Sequence, residues 1–347
     1  MCSNSFPSPP AQSPFRCMEF QQGAITRRTF VRALVGLTMA GIGSSFVACS
    51  SNIPQGVKLF SYTGHIHSVY TVAWSPNGLY IASGGDDKTV QIWDALGGTH
   101  VSTYLHAKAV TSIAWSPDGA YLASGADNNK VYIWNTSTGK QLRILSNRGD
   151  VWALKWSPDG KYLAWAGLYN TVQIWNMQNG DLMPPYGGHG GFVWDLSWSP
   201  DGKRIASGGS DKTVQVWNVE NRQVLVTCSL HSNGVHGIDW SPDGDYIASV
   251  GYDNNLFIWE AANGYSVFSG SHEDDVYGVS WSPDRKYVAS SSRDRLVKIW
   301  DFNQKSIAAS YDGQAGPVFR TVWSPEGKRL ASSYRDSTAQ VWEFPNL

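Results

Sequence analysis

Cysteine is scarce in this chain and badly placed to staple a fold. Of the four cysteines, Cys2, Cys17 and Cys49 fall in the first 49 residues, and only Cys228 lies further on. A lone cysteine cannot cross-link a domain, so stability has to come from packing. Charge is also sparse, at 16% of residues, with a formal net charge of −1. Clustered lysine and arginine hold phosphate backbones, and their lack speaks against a nucleic-acid partner. A Gly-rich nucleotide loop, zinc-ligand spacing and a nucleophile elbow are all missing, so no cofactor, metal site or motif-borne catalysis is expected. What abounds is tryptophan, 17 in all, together with 35 glycines.

The first 48 residues read as an address. Met1–Arg16 is rich in Pro and Ser and has no hydrophobic period. Thr26-Arg27-Arg28-Thr29-Phe30-Val31-Arg32 then precedes an apolar, uncharged run from Ala33 to Ala48. A basic flank followed by an apolar stretch is the layout of a secretory signal. The run is shorter than the ~20 residues a spanning helix needs. Arg27 and Arg28 resemble a twin-arginine signal, and Phe46-Val47-Ala48-Cys49 resembles a lipobox with Cys49 as the lipidated residue. That resemblance implies export, with 49–56 as a short tether. An uncleaved membrane anchor would give the same topology. Either Met1 or Met18 serves as the start.

From residue 57 to 347 the chain repeats itself. Trp-Ser-Pro recurs at Trp74, Trp115, Trp156, Trp198, Trp240, Trp281 and Trp323. A second tryptophan recurs at Trp93, Trp134, Trp175, Trp217, Trp259, Trp300 and Trp342. Both series advance by 41, 41, 42, 42, 41 and 42 residues. Within one unit, Val69–Trp74, Tyr80–Ser83, Thr89–Trp93 and Thr99–Leu105 read as strands, separated by turn chemistry such as Ser75-Pro76-Asn77-Gly78. Such a four-stranded sheet cannot bury both faces alone, so the units must stack.

Period, Gly64-His65 and Trp93-Asp94 together resemble the WD-repeat family over Val57–Leu347. The resemblance implies an all-β, seven-bladed propeller with four antiparallel strands per blade. The last repeat stops short of a fourth strand, and Val57–Tyr62 sits where fourth strands sit, so the N-terminal strand is expected to complete the last blade. WD-repeat blades carry a buried His, Ser, Asp and Trp network. Here the places are filled by His65, His106, His189, His231 and His272, by serines from Ser83 to Ser332, and by Asp87, Asp211, Asp253, Asp294 and Asp336. Their recurrence marks them as scaffold rather than as catalytic triads or metal ligands. The third unit departs, with Asn147, Trp165 and Tyr169 in the His, Ser and Asp places. Asn128 replaces Asp in the second, and Gln314 replaces His in the seventh.

The resemblance also points to one ring face as the binding face. Four places before each first tryptophan stand Tyr70, Thr111, Trp152, Trp194, His236, Tyr277 and Phe319. Phe192, Tyr252, Arg293 and Arg335 fall at neighbouring positions of the same face. Aromatic and arginine residues dominate interface hot spots, and large apolar patches mark contact sites. The expected binding residues are Tyr70, Trp152, Phe192, Trp194, His236, Tyr252, Tyr277, Arg293, Phe319 and Arg335. The expected function is a non-catalytic scaffold, exported and membrane-tethered, a monomeric propeller binding a protein or peptide. An extracytoplasmic carbohydrate or small-ligand receptor is the alternative. A propeller hydrolase or lyase is disfavoured, because its candidate groups, Asp86, Asp127, Asp150, Asp275 and His236, lie scattered over separate units without motif spacing.

Overall fold

The computed structural model describes residues 55–313 and 316–344, which form strands and turns without a helix. Arg27, Arg28, Cys49 and Gln314 lie outside the described residues. The strands form seven antiparallel sheets. Each begins with an innermost strand that ends on a Trp-Ser-Pro tryptophan: Val69–Trp74, Val110–Trp115, Val151–Trp156, Val193–Trp198, Val235–Trp240, Val276–Trp281 and Val318–Trp323. We number the blades 1 to 7 in that order.

The turn after each innermost strand explains the Trp-Ser-Pro repeat. In blade 1, Ser75 Oγ donates to Asn77 Oδ1 at 2.7 Å and accepts from the Tyr80 amide at 2.9 Å. Gly78 closes the turn at a φ of 69°, a left-handed conformation that glycine adopts without steric cost. The hydroxyl therefore satisfies turn groups that would otherwise be left open at the sheet edge.

Six sheets have four strands. Blade 7 is completed by Val57–Tyr62, which pairs antiparallel with Ala339–Glu343, as the sequence requires. Blade 3 is the exception to the expected four strands: its ladder ends at Gln173–Asn176. The fourth strand is reduced to isolated bridges of Val172 with Tyr186 and of Trp175 with Leu182. Pro184 and Pro185 stand between those bridges and lack the amide hydrogens a ladder needs.

The core lies between blades. The second tryptophan of each unit is buried, and in four seams a tyrosine from the preceding blade's outer strand stacks on it. The pairs are Tyr62–Trp93, Tyr104–Trp134, Tyr186–Trp217 and Tyr311–Trp342, with ring centroids 4.8, 4.7, 4.2 and 4.7 Å apart. Tyr62 belongs to the N-terminal strand, so this contact joins blade 7 to blade 1.

The repeated polar residues form the scaffold network. In blade 5, His231 Nδ1 lies 3.0 Å from Asp253, His231 Nε2 lies 2.8 Å from Ser249 Oγ, and Trp259 Nε1 donates to that hydroxyl at 2.7 Å. Blades 1, 4 and 6 repeat the arrangement around His65, His189 and His272. Burial pushes the Asp211 carboxyl up, but hydrogen bonds from His189 and Thr213 outweigh it and bring its pKa down to about 2. In blade 2, Asn128 turns to the Tyr132 hydroxyl instead, and His106 Nδ1 faces the Tyr104 carbonyl at 3.3 Å. Asp336 binds the Thr338 amide and hydroxyl. Blade 3 is repacked: Trp165 is fully buried with an unpartnered indole N–H, Asn147 turns to the Gly149 carbonyl, and Tyr169 is exposed.

Candidate functional site

Every innermost strand carries a β-bulge at its second residue. In blade 1 the register jumps between Val69 and Thr71, leaving Tyr70 outside the ladder. The skipped residue in each blade is the one four places before the first tryptophan. A bulge re-aims a side chain, and here it turns seven successive residues toward the central channel. The channel holds a cavity of about 710 Å³.

Six of the expected binding residues form one continuous arc at the channel. Trp194 meets Tyr252 at 5.0 Å and His236 at 5.9 Å. His236 meets Tyr277 at 5.2 Å, Tyr277 meets Phe319 at 5.7 Å, and Phe319 meets Tyr70 at 5.4 Å. Trp152 and Phe192 form a separate edge-to-face pair at 6.0 Å, with Phe192 exposed. Arg293 turns to the rim carboxylates Asp274 and Asp275, at 3.7 and 3.6 Å. Arg335 is exposed, and its carbonyl accepts from Ser68 across the blade 7 to blade 1 seam. Across the ring, Asp86, Asp127 and Asp150 stand on blades 1 to 3. Burial, and then the charges of Asp150 and Asp86, push the Asp127 carboxyl up. The rim thus carries charges of both signs: Lys108 stands beside Asp127 on blade 2, and Arg293 is paired with Asp274 and Asp275 on blade 6.

Below the arc lies a polar layer that the sequence columns did not reveal. Arg320 reaches from blade 7 to Asp195 on blade 4, with Nη1–Oδ2 at 3.0 Å and Nη2–Oδ1 at 3.5 Å. Asp195 is almost wholly buried, and its Oδ2 also accepts the Ile238 amide at 3.1 Å. His236 Nδ1 donates to the Tyr277 carbonyl at 2.8 Å; burial lowers its pKa, which that carbonyl partly offsets. Asp239 is pushed up by burial, against the pull of Lys155.

The seams beside the channel are closed in two ways. Trp74, Trp115, Trp156 and Trp198 donate their indole N–H to the carbonyls of Val322, Ala73, Ala114 and Lys155, at 3.1–3.2 Å. In the other three seams the backbone amides of Trp240, Trp281 and Trp323 donate to the side chains of Ser197, Asp239 and Ser280. The indoles of those three tryptophans have no partner among the described residues.

A family model described as the IFT122 first beta-propeller matches residues 49–230, more than half of the chain. The chain belongs to the WD-repeat β-propeller family. The WD domain, G-beta repeat model matches 222–260, 265–301 and 305–343. WD-repeat propellers are usually non-catalytic and commonly bind protein partners. A 31-residue stretch is 61% identical to the probable cytosolic iron-sulfur protein assembly protein CIAO1 homolog of Nematostella vectensis, covering 9% of this chain and 10% of that protein. A 44-residue stretch is 48% identical to Protein HIRA of Takifugu rubripes, covering 13% of this chain and 4% of that protein. The chain therefore spans a tenth or less of the curated relatives it matches. Each of these matches is about the length of one repeat.

Proposed function

We propose that this WD-repeat propeller is a non-catalytic scaffold that docks a protein or peptide on the aromatic arc at the mouth of its channel. The arc from Trp194 through His236 and Tyr277 to Tyr70 is the observation that carries this reading. Its rings are bulged out of their ladders toward the channel, where a core residue would gain nothing from the bulge. The edge-to-face packing commits many ring faces to neighbouring ring edges, whereas a sugar platform needs a free flat face. The charged rim adds orientation, since charge at an interface edge selects register more than affinity. The repeated His, Ser and Asp side chains are bound to one another and to tryptophan, which supports a scaffold role over catalysis.

Capture of proteins from membrane fractions tests the docking reading. Wild type should retain a partner that the Trp152→Ala/Trp194→Ala and Tyr277→Ala variants lose, at an unchanged thermal midpoint. Equal retention by the folded variants would refute it.

The proposal extends to location: export and tethering at Cys49. Its support is the layout of Arg27-Arg28, the apolar run and the lipobox-like Phe46–Cys49. One acyl chain anchors marginally, whereas the several chains of a lipoprotein hold firmly. Cys49→Ala should shift the protein out of the membrane fraction, and globomycin should block its processing. Unchanged processing and fractionation would overturn the tether.

A further inference from the structure

Each innermost strand places one residue immediately before its Trp-Ser-Pro tryptophan. On the half-ring that borders the cavity these residues are Val322, Ala73, Ala114 and Lys155. On the other half, Ser197, Asp239 and Ser280 turn to neighbouring amides at 3.2, 2.8 and 3.4 Å. Lys155 is therefore the one charged member of the open half. Its neighbours Ala73 and Ala114 are too short to fill the space before it.

Lys155 has no ion pair or side-chain hydrogen bond among the described residues, and the nearby acids are committed elsewhere. Asp195 accepts from Arg320 and from the Ile238 amide. Asp239 accepts from the Trp281 amide and from Ser197. Burial pushes the Lys155 amine down and the charge of Arg320 adds to this, while the charges of Asp195 and Asp239 pull it back up without a direct ion pair. The Lys155 ammonium thus borders the cavity with no direct partner among the described residues, and its three N–H donors are free for a ligand.

We infer that the channel takes a carboxylate, carried on an apolar or aromatic body, which seats against Lys155 beneath the ring arc. The cavity has the volume of a small-ligand site, with walls that mix aromatic rings and polar groups. Arg320 and Lys155 together disfavour a cationic guest. The arc is the entrance, so this inference rests on the docking reading. The carboxylate belongs either to a small aromatic acid or to an acidic side chain of a docked peptide.

Calorimetric titration tests this with two pairs of probes: phenylacetate against phenylacetamide, and acetyl-Phe-Glu-amide against acetyl-Phe-Gln-amide. Wild type should prefer an acid over its amide by about tenfold or more, as one charge-assisted contact provides. Lys155→Met should abolish the preference and Lys155→Arg should keep most of it. A preference within the peptide pair alone identifies a peptide guest; one within the phenylacetate pair identifies a small acid. NMR of the Lys155 Cε resonance in wild type gives a readout independent of variant folding: its titration should move up with the preferred acid and stay put with the amide. No preference in either pair, or a preference that survives Lys155→Met, would overturn the inference. Loss of arc-dependent capture with the acid preference intact would remove the docking reading alone.

Discussion

Tyr62→Ala should weaken the whole ring, although it alters one residue of one outer strand. The Tyr62 ring is buried and stacks on Trp93, which Phe60 also meets edge-on. Its hydroxyl donates to Gln91 Oε1 at 2.6 Å, and its strand is the fourth strand of blade 7. Truncating a buried aromatic to alanine costs about 3–5 kcal/mol. Tyr62→Phe removes only the hydroxyl and should cost about 1 kcal/mol. Urea unfolding followed by tryptophan fluorescence, which sums over every blade and so reads global stability, separates the two by their midpoints. The expected pattern is a large drop for Tyr62→Ala, a small one for Tyr62→Phe, and a single transition in both. For a domain of this size 1 kcal/mol shifts the thermal midpoint by about 2–4 °C, so Tyr62→Ala should lower it by roughly 10 °C. A stability within about 1 kcal/mol of wild type would refute closure by the N-terminal strand as a source of stability.

Three further outcomes follow from the described contacts. Ser249→Ala strands His231 Nε2 and Trp259 Nε1 together and should cost about 2–5 kcal/mol in chemical denaturation. Asp195→Asn should cost about 3–5 kcal/mol, because it leaves the Arg320 guanidinium across the channel without its counter-charge. Burial lowers the His106 pKa from 6.5 to about 4, so the folded state binds fewer protons than the unfolded chain between those values. Stability should therefore fall as pH drops below 6.5, by about 2 kcal/mol at pH 5, and His106→Gln should flatten that slope in pH-dependent melting.

The repeat arithmetic made much of the fold legible. Two tryptophan series in lockstep give seven blades, and the missing fourth strand after Trp342 points to Val57–Tyr62. The scaffold reading of His65, His189, His231 and His272 was legible because the same triplet recurs in four separate blades, whereas an active site needs it once. Blade 3 was readable only in part. Its polar substitutions stand out in sequence, but the lost fourth strand follows from Pro184-Pro185, which the repeat alignment does not weigh. Five of the six arc residues were legible as a column because one bulge recurs in every blade; Tyr252 joins them from the loop after Tyr246–Gly251. The Arg320–Asp195 pair was not, since its partners are 125 residues apart and belong to blades across the ring. No local period encodes a contact that depends on closure.

The two kinds of seam divide the ring into a part that sequence change can enter freely and a part that it cannot. Where indole groups donate to the carbonyls of Val322, Ala73, Ala114 and Lys155, the seam uses main-chain atoms, which every residue supplies. Where amides donate to Ser197, Asp239 and Ser280, the side chain itself is the fastener. New chemistry can therefore be written into the cavity wall of the first half without loosening the joints. Lys155 stands in that half, at a place where a change of ligand preference and a change of stability are separable, which makes this wall the natural ground for redesigning what the channel receives.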